Sequence, residues 1–188
     1  MDRLPAVTLL PAIALLTILS MTGLSMTGLA VDPSLAQPRP STRADRVTGP
    51  SGYPVPRFVS LRGRTINLRR GPSTDHPIEW VYRNFEGLPV LVIAETELWR
   101  RVRDHDGVVG WIHRGLTEGR RRALVTAPSV TLREAPDPTA PARARVMGRA
   151  IGAIQSCSDA WCELTFGSVT GWVERSVLWG LLPGETID

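Results

Sequence analysis

The segment NLRRGP at residues 67–72 recurs as TLREAP at residues 131–136, a shift of 64 residues. Two further pairs of segments repeat in the same order, namely LWRRV at 98–102 with AWCEL at 160–164, and GWI at 110–112 with GWV at 171–173. The shift falls only from 64 to 61 residues across the three pairs. The chain therefore contains two homologous units that differ by a few loop residues.

Each unit predicts strands and no helices. In the first unit, residues 90–94, 99–103 and 110–113 are rich in β-branched and aromatic residues, and turn-forming residues separate them. A unit of about 60 residues with four or five such strands is too small for a two-sheet sandwich, whereas closure into a small barrel removes its edges. Only residues 119–122 separate the units, so we expect the two barrels to be adjacent.

The order of these motifs resembles the bacterial SH3 (SH3b) domain family. The resemblance covers residues 56–185. The order of the motifs along the chain is also similar to that of exported bacterial proteins that have two SH3 domains and no assigned role. It implies an all-β protein of two tandem SH3-like small β-barrels that act as binding modules, often for cell-wall peptides or peptidoglycan, without chemistry of their own. The second copy departs from the pattern at Ala135, which replaces Gly71, and at Thr131, which replaces Asn67.

The N-terminus has the pattern of an export signal. Arg3 precedes an uncharged apolar stretch, and the small residues at 34 and 36 suit signal-peptidase cleavage after Ala36, with a second possible cut after Ala30. Because residues 4–31 carry no charge, an uncleaved membrane anchor is the alternative. We therefore expect the remainder of the chain to be periplasmic or otherwise exported.

The domain organisation follows from these boundaries. After the signal segment at residues 1–36, residues 37–56 contain Pro, Ser, Thr, Gly and Arg without apolar periodicity, which predicts a flexible linker. Residues 57–122 form the first predicted SH3b-like domain, and residues 123–188 form the second with a C-terminal tail.

The charge is distributed unevenly over the two units. Residues 58–122 contain 12 Arg and 8 acidic residues, whereas residues 123–188 contain 5 Arg and 7 acidic residues. The first unit could therefore bind an anionic partner, for example through arginines at 100, 101, 103 and 120–122. Export argues against nucleic acid, and leaves anionic lipid or the carboxylates of peptidoglycan stem peptides.

The two cysteines, Cys157 and Cys162, flank a predicted hairpin loop. Opposite positions on paired strands are close enough for a disulfide, which an oxidising compartment would form. A redox-active pair would need the two-residue spacing and the helix N-terminus that lower a thiol pKa. All three histidines lie in the other unit, so neither a zinc site nor a cysteine-peptidase site can be assembled, and we predict no enzyme activity, metal or cofactor.

The aromatic residues are the best binding candidates. Side chains alternate between the two faces of a strand, so Trp99 and Val102 point to opposite faces, as do Trp111 and Ile112. The tryptophans therefore face outward if the aliphatic side chains form the core. Exposed aromatic rings on small barrels recognise peptides or sugars, although each Trp could instead shield a barrel or pack between the two units. The candidate ligand-binding residues are Trp80, Tyr82, Trp99, Arg101, Trp111 and His113. We expect Trp179, which follows the second repeat, to fasten the C-terminal tail.

Two functions agree with these features. The first is an exported non-catalytic module that binds cell-wall peptide or glycan-peptide through the first barrel, with the second barrel as partner or support. The alternative is a protein-interaction subunit of an envelope complex, in which the aromatic residues bury against another envelope protein. Neither function uses nucleic acid, and the membrane would be involved only through an uncleaved N-terminal segment.

Overall fold

The computed structural model describes residues 47–188. This part of the chain contains sixteen β-strands and two short 3-10 turns, Arg114–Leu116 and Arg175–Val177, and no α-helix. The predicted signal segment and the first ten residues of the predicted linker lie outside the described residues. Within the described residues, no helix has the length and apolar character needed to cross a membrane.

Two seven-stranded antiparallel sheets form the body of the protein, which confirms the all-β prediction. The strands of the first sheet are β3 (Arg57–Leu61), β4 (Thr65–Arg69), β5 (Ile78–Arg83), β6 (Pro89–Glu95), β7 (Trp99–Arg103), β8 (Val109–His113) and β9 (Thr117–Glu118). Their order across the sheet is β5-β4-β8-β7-β6-β3-β9.

The second sheet repeats this topology strand for strand. Its strands are β10 (Arg122–Val125), β11 (Ser129–Arg133), β12 (Ala142–Met147), β13 (Ile151–Cys157), β14 (Trp161–Phe166), β15 (Val169–Glu174) and β16 (Leu178–Trp179). Their order is β12-β11-β15-β14-β13-β10-β16, which is the order of the first sheet with each strand replaced by its repeat.

Each sheet curls around its own apolar core. In the first barrel, fully buried side chains such as Leu68, Val102 and Ile112 come from alternate positions of β4, β7 and β8. Leu132 and Leu164 hold the matching positions in the second barrel. Alternation along each strand therefore leaves the intervening residues on the outer face, among them Trp99 and Trp111 and their counterparts Trp161 and Trp172.

The hairpin of β13 and β14 carries the predicted disulfide. Cys157 and Cys162 are directly opposite each other in the strand register, with their Cα atoms 4.1 Å apart and their sulfur atoms bonded. The pairing predicted from the cysteine spacing is thus confirmed. Cys157 also pairs with Ile187, so the disulfide lies where the C-terminal tail meets the barrel.

The described end of the predicted linker forms a hairpin, a structure that its composition did not predict. Strands β1 (Val47–Thr48) and β2 (Pro54–Val55) pair with each other. The hairpin is fixed to β6 through Glu95, whose carboxylate accepts hydrogen bonds from the amide and hydroxyl of Ser51 and from Arg57 at 2.5 Å. A single buried carboxylate on the barrel thus orders residues that lack apolar periodicity.

The two barrels share a packed interface. The indole of Trp179 in β16 donates a hydrogen bond from Nε1 to the carbonyl of Pro89 at 3.1 Å, and its ring packs edge-on against Phe58. Phe58 also packs with Leu91 and with Leu182 of the tail. Trp179 therefore joins the second barrel to the first, rather than only fastening the tail.

A candidate binding face on the first barrel

The outer face of the first barrel is built by three adjacent strands, β4, β8 and β7. Trp99 of β7 is the register partner of His113 in β8, and Arg101 is the partner of Trp111. Trp111 is also paired with Arg69 of β4. Because register partners point to the same side of a sheet, these five residues share one face, which we call the WR face.

The turn before β7 fixes the position of Trp99. The amide of Trp99 donates to Thr96 Oγ1 at 3.1 Å, and the amide of Thr96 donates back to the carbonyl of Trp99 at 2.8 Å. The indole of Trp99 then packs edge-on against the imidazole of His113, with ring centroids 5.5 Å apart. This contact leaves both rings partly exposed on the WR face.

His113 presents a hydrogen-bond donor to solvent. Its Nδ1 accepts a hydrogen bond from the amide of Gly115 at 3.2 Å. In the neutral imidazole the proton is then on Nε2, so this nitrogen is the donor available to a ligand. The side chain as a whole is exposed.

The two arginines of the WR face differ in their freedom. Arg69 donates from Nη1 to the carbonyls of Thr74 and His76, at 2.8 and 2.7 Å, and so holds the loop between β4 and β5. The guanidinium of Arg101 is exposed and forms no hydrogen bond or ion pair with any described residue. Arg101 is therefore the cation on this face that is free to bind an anion bidentately.

Arg100 lies on the opposite side of β7 from Arg101. It is partnered with Ile112 in the register, donates to the hydroxyl of Thr117 and lies 3.9 Å from a carboxylate oxygen of Glu95. Burial lowers the pKa of Arg100, and the neighbouring Arg57 guanidinium lowers it further. Of the arginine run at 100–103, only the alternate residues 101 and 103 reach the outer surface.

The structure separates Tyr82 and Trp80 from the other candidates. The side chain of Tyr82 is buried in the core, and its hydroxyl donates to Asp104 Oδ2 at 2.9 Å. Burial, reinforced by the Asp104 carboxylate, raises the pKa of Tyr82. Tyr82 therefore has no free surface for a ligand, which corrects its inclusion among the candidate contacts.

Trp80 is half exposed, but on a different part of the barrel. It lies on β5, the outermost strand of the sheet, and is the register partner of Leu68, whose side chain points into the core. Trp80 thus lies on the core-facing side of β5, yet half of its side chain is exposed at this edge of the sheet. It does not belong to the WR face.

Arg69 is the member of the WR face that the sequence-based candidates omitted. Two features of the sequence could have identified it. It directly follows the buried Leu68, so strand alternation places it outward, and the second repeat keeps an arginine at the matching position, Arg133.

The family-model comparison identifies the fold. A model described as bacterial SH3 domain matches residues 62–119 and again residues 126–180. The chain belongs to the bacterial SH3 domain family, with two tandem copies of the domain.

Two solved structures from Trichomonas vaginalis were also matched. The NlpC2 structure is 11% identical, with a TM-score of 0.32 over 68% of this chain and 49% of that chain. The NlpC1 structure is 12% identical, with a TM-score of 0.31 over 70% of this chain and 48% of that chain. This chain thus spans about half the length of each, and scores this low support no functional comparison. No curated protein matched the sequence.

Proposed function

We propose that this protein is an exported, non-catalytic binding module that takes cell-wall peptide or glycan-peptide on the WR face of its first barrel. The observation that carries the proposal is the free guanidinium of Arg101 between two partly exposed indoles, Trp99 and Trp111. Bacterial SH3 domains are commonly cell-wall binding modules, which agrees with this use.

The chemistry of the WR face suits a carboxylate on an extended peptide. Arg101 can bind a carboxylate bidentately, and His113 Nε2 offers a second donor close by. The indole rings give flat apolar surfaces for the peptide backbone or for a sugar ring to stack upon. Peptidoglycan stem peptides combine these features, because they carry free carboxylates along a short peptide attached to sugar.

The disulfide supports export and removes the thiols as possible nucleophiles. Disulfides persist in oxidising compartments, and Cys157 and Cys162 are bonded to each other. These are the only cysteines of the sequence, so neither is available as a thiolate nucleophile.

Co-sedimentation with purified cell-wall sacculi tests the proposal. The wild-type protein is expected to sediment with sacculi at low salt, and Trp99→Ala and Arg101→Ala are each expected to reduce the bound fraction several-fold. Arg62→Ala is the control, since Arg62 is an exposed arginine of the same barrel and is not one of the five residues of the WR face. Failure of the wild type to sediment at low salt, or equal losses for all three variants, would contradict the proposal.

A protein-interaction role is the second candidate, and the edge of the first sheet favours it. β5 is the outermost strand, and its Ile78 and Trp80 side chains are 46% and 50% exposed. Exposed apolar side chains on an unpaired strand edge suit pairing with a strand of another protein. Capture of one stoichiometric protein from membranes by the wild type, lost in Trp80→Ala and kept in Trp99→Ala, would favour this role over sacculus binding.

A further inference from the structure

A groove of about 200 Å³ lies on the outer face of the second barrel. It is located where β11 and β15 diverge, because Arg133 and Trp172 are their one register pair. Thr131, Arg133, Trp161 and Glu174 line the groove together with three valines. Its volume is below the roughly 300–1,000 Å³ of typical small-molecule sites, so it suits a single side chain of a larger ligand.

The walls of the groove include a carboxylate beside an indole. Glu174 and Trp161 are register partners, so their side chains lie next to each other on the outer face. Within residues 47–188, no hydrogen bond or ion pair engages the carboxylate of Glu174. Arg133, the cation of the groove, donates from Nη1 to the carbonyl of Ala140 at 2.7 Å and thereby holds the adjoining loop.

The position of Trp161 is fixed before any ligand binds. Its amide donates to Ser158 Oγ at 3.2 Å, and its carbonyl accepts from the amide of Ser158 at 2.9 Å. The next residue, Cys162, is tied by the disulfide to Cys157. The backbone that carries Trp161 is therefore ordered before a ligand binds, which lowers the entropic cost of binding.

The groove lies on the counterpart of the WR face, with the charge reversed. The second barrel keeps both tryptophans and the β-strand arginine, as Trp161, Trp172 and Arg133. It replaces the other two positions by acids, with Glu163 in the place of Arg101 and Glu174 in the place of His113. The same aromatic framework therefore presents two carboxylates where the first barrel presents an arginine and a histidine.

We infer that this groove is a binding site for the primary ammonium group of a peptide. The ammonium is placed between the Glu174 carboxylate and the indole of Trp161, which attracts cations to its ring face. The hydroxyl of Thr131 supplies an acceptor, and the partly exposed Val130 and Val177 pack against the aliphatic stem. A compact ammonium on a flexible stem fits this small groove better than a planar guanidinium does.

This site makes the second barrel a receptor in its own right rather than a support for the first. The two barrels then use equivalent pairs of tryptophans to bind ligand groups of opposite charge. The inference rests on the second barrel alone, so it holds or fails independently of sacculus binding by the WR face.

Peptide titration of the full chain, followed by the indole N–H resonances in NMR spectra, tests the inference. The probes are acetyl-Gly-Lys-Gly-amide, the same peptide with an acetylated Lys side chain, and Gly-Gly-Gly-amide. We expect the Lys peptide to shift the Trp161 resonance and the acetylated peptide to leave it unchanged. A shift with Gly-Gly-Gly-amide, alone or in addition, would identify a peptide N-terminus as an accepted source of the ammonium.

Two substitutions sharpen the test. Glu174→Gln removes the charge, and Glu174→His introduces the residue found at this position in the first barrel. Each is expected to lower the affinity for the Lys peptide about fivefold. Glu134→Gln is the control, because Glu134 is exposed on the same barrel and does not line the groove. Circular dichroism checks that each variant is folded. Equal affinity for the acetylated peptide, or unchanged affinity in both Glu174 variants, would overturn the inference.

Discussion

Gly110 lies where β8 passes so close to β4 that no side chain fits. A Cβ atom at this position would lie 2.5 Å from Leu68 Cδ2 and 2.9 Å from the carbonyl oxygen of Arg69. Gly171 makes the same close approach in the second barrel, where its Cβ would lie 3.0 Å from the Arg133 carbonyl oxygen. The glycine of the repeated GW motif therefore permits the strand contact that sets Arg69 beside Trp111.

Gly110→Ala is expected to destabilise the protein by about 1–3 kcal/mol, because the buried Leu68 side chain and the Arg69 backbone must move to admit the methyl group. Urea denaturation followed by tryptophan fluorescence measures the loss. Gly119→Ala is the control, since its Cβ would meet nothing within 4 Å. Equal midpoints for the two variants would show that the strands can separate without cost.

Gly71 and Ala135 occupy equivalent loop positions, and the structure explains why they differ. A Cβ atom on Gly71 would lie 2.3 Å from the imidazole of His76, whereas the residue equivalent to His76 in the second barrel is Ala140. The two loops keep the same hydrogen bonds, since Arg69 and Arg133 each donate to the carbonyl at that position at 2.7 Å. The loss of the glycine is thus compensated within the loop.

Gly71→Ala is expected to cost about 1 kcal/mol or less, because the exposed His76 ring can move aside. Gly71→Ala combined with His76→Ala reproduces the pair of alanines found at the equivalent positions of the second loop, and it should restore the wild-type stability. A double-mutant cycle measured by urea denaturation gives the coupling between the two sites. Additive effects would contradict direct contact between position 71 and His76.

At the scale of elements, the disulfide stabilises the β13–β14 hairpin and with it the position of Trp161. Replacing both cysteines by serine is expected to cost roughly 2 kcal/mol, the value for a loop of this length. Thermal unfolding of the variant and of the reduced wild type measures this loss. Because the first barrel contains no cysteine, sacculus binding through the WR face should survive the change.

The hairpin of β1 and β2 depends on the ionised form of Glu95. Burial favours the protonated carboxyl, but hydrogen bonds from Arg57 and Ser51 outweigh burial and hold the pKa of Glu95 below its usual value. Since the folded-state pKa is lowered, the stabilisation is complete above the unfolded pKa of about 4.3 and is lost as the pH falls through the folded value.

Glu95→Gln is expected to lower the stability by about 2 kcal/mol at pH 7, the range for a hydrogen bond to a charged group. The difference in the free energy of unfolding between wild type and variant should decrease as the pH falls below about 4. Unfolding measured in urea from pH 3 to pH 7 gives both curves. A gap that is constant over this range would show that the carboxylate charge does not hold the hairpin.

At the scale of the whole molecule, the two barrels act as one packed body. Leu124 of the second barrel belongs to the core cluster of the first, and Trp179 bridges the two through Phe58 and Pro89. An exposed ion pair between Arg149 and Asp106, at 2.9 Å, joins a loop of each barrel. We therefore expect the two barrels to unfold together.

Trp179→Ala is expected to cost about 2–3 kcal/mol, less than for a fully buried tryptophan, and to separate the unfolding of the barrels. Differential scanning calorimetry should show one transition for the wild type and two for the variant. Trp179→Phe keeps most of the packing and loses the hydrogen bond to Pro89, so its profile should lie between them. A single transition in Trp179→Ala would show that the barrels are coupled without this residue.

Much of the architecture was determined by the sequence alone. The repeated motifs predicted two all-β units, strand alternation placed Trp99 and Trp111 on the outer face, and the spacing of Cys157 and Cys162 predicted their bond. These features depend on contacts between neighbours along the chain or across one hairpin. Local periodicity is sufficient to specify such contacts.

Other features were decided only by the tertiary structure. Tyr82 and Trp80 share one face of β5, yet Tyr82 is buried and Trp80 is half exposed, a difference that strand alternation does not predict. The hairpin at residues 47–55 is held by hydrogen bonds to Glu95. Trp179 joins the two barrels through its hydrogen bond to Pro89, 90 residues earlier in the chain. Such contacts join distant parts of the chain, so the register and packing of the folded barrels determine them and no local pattern does.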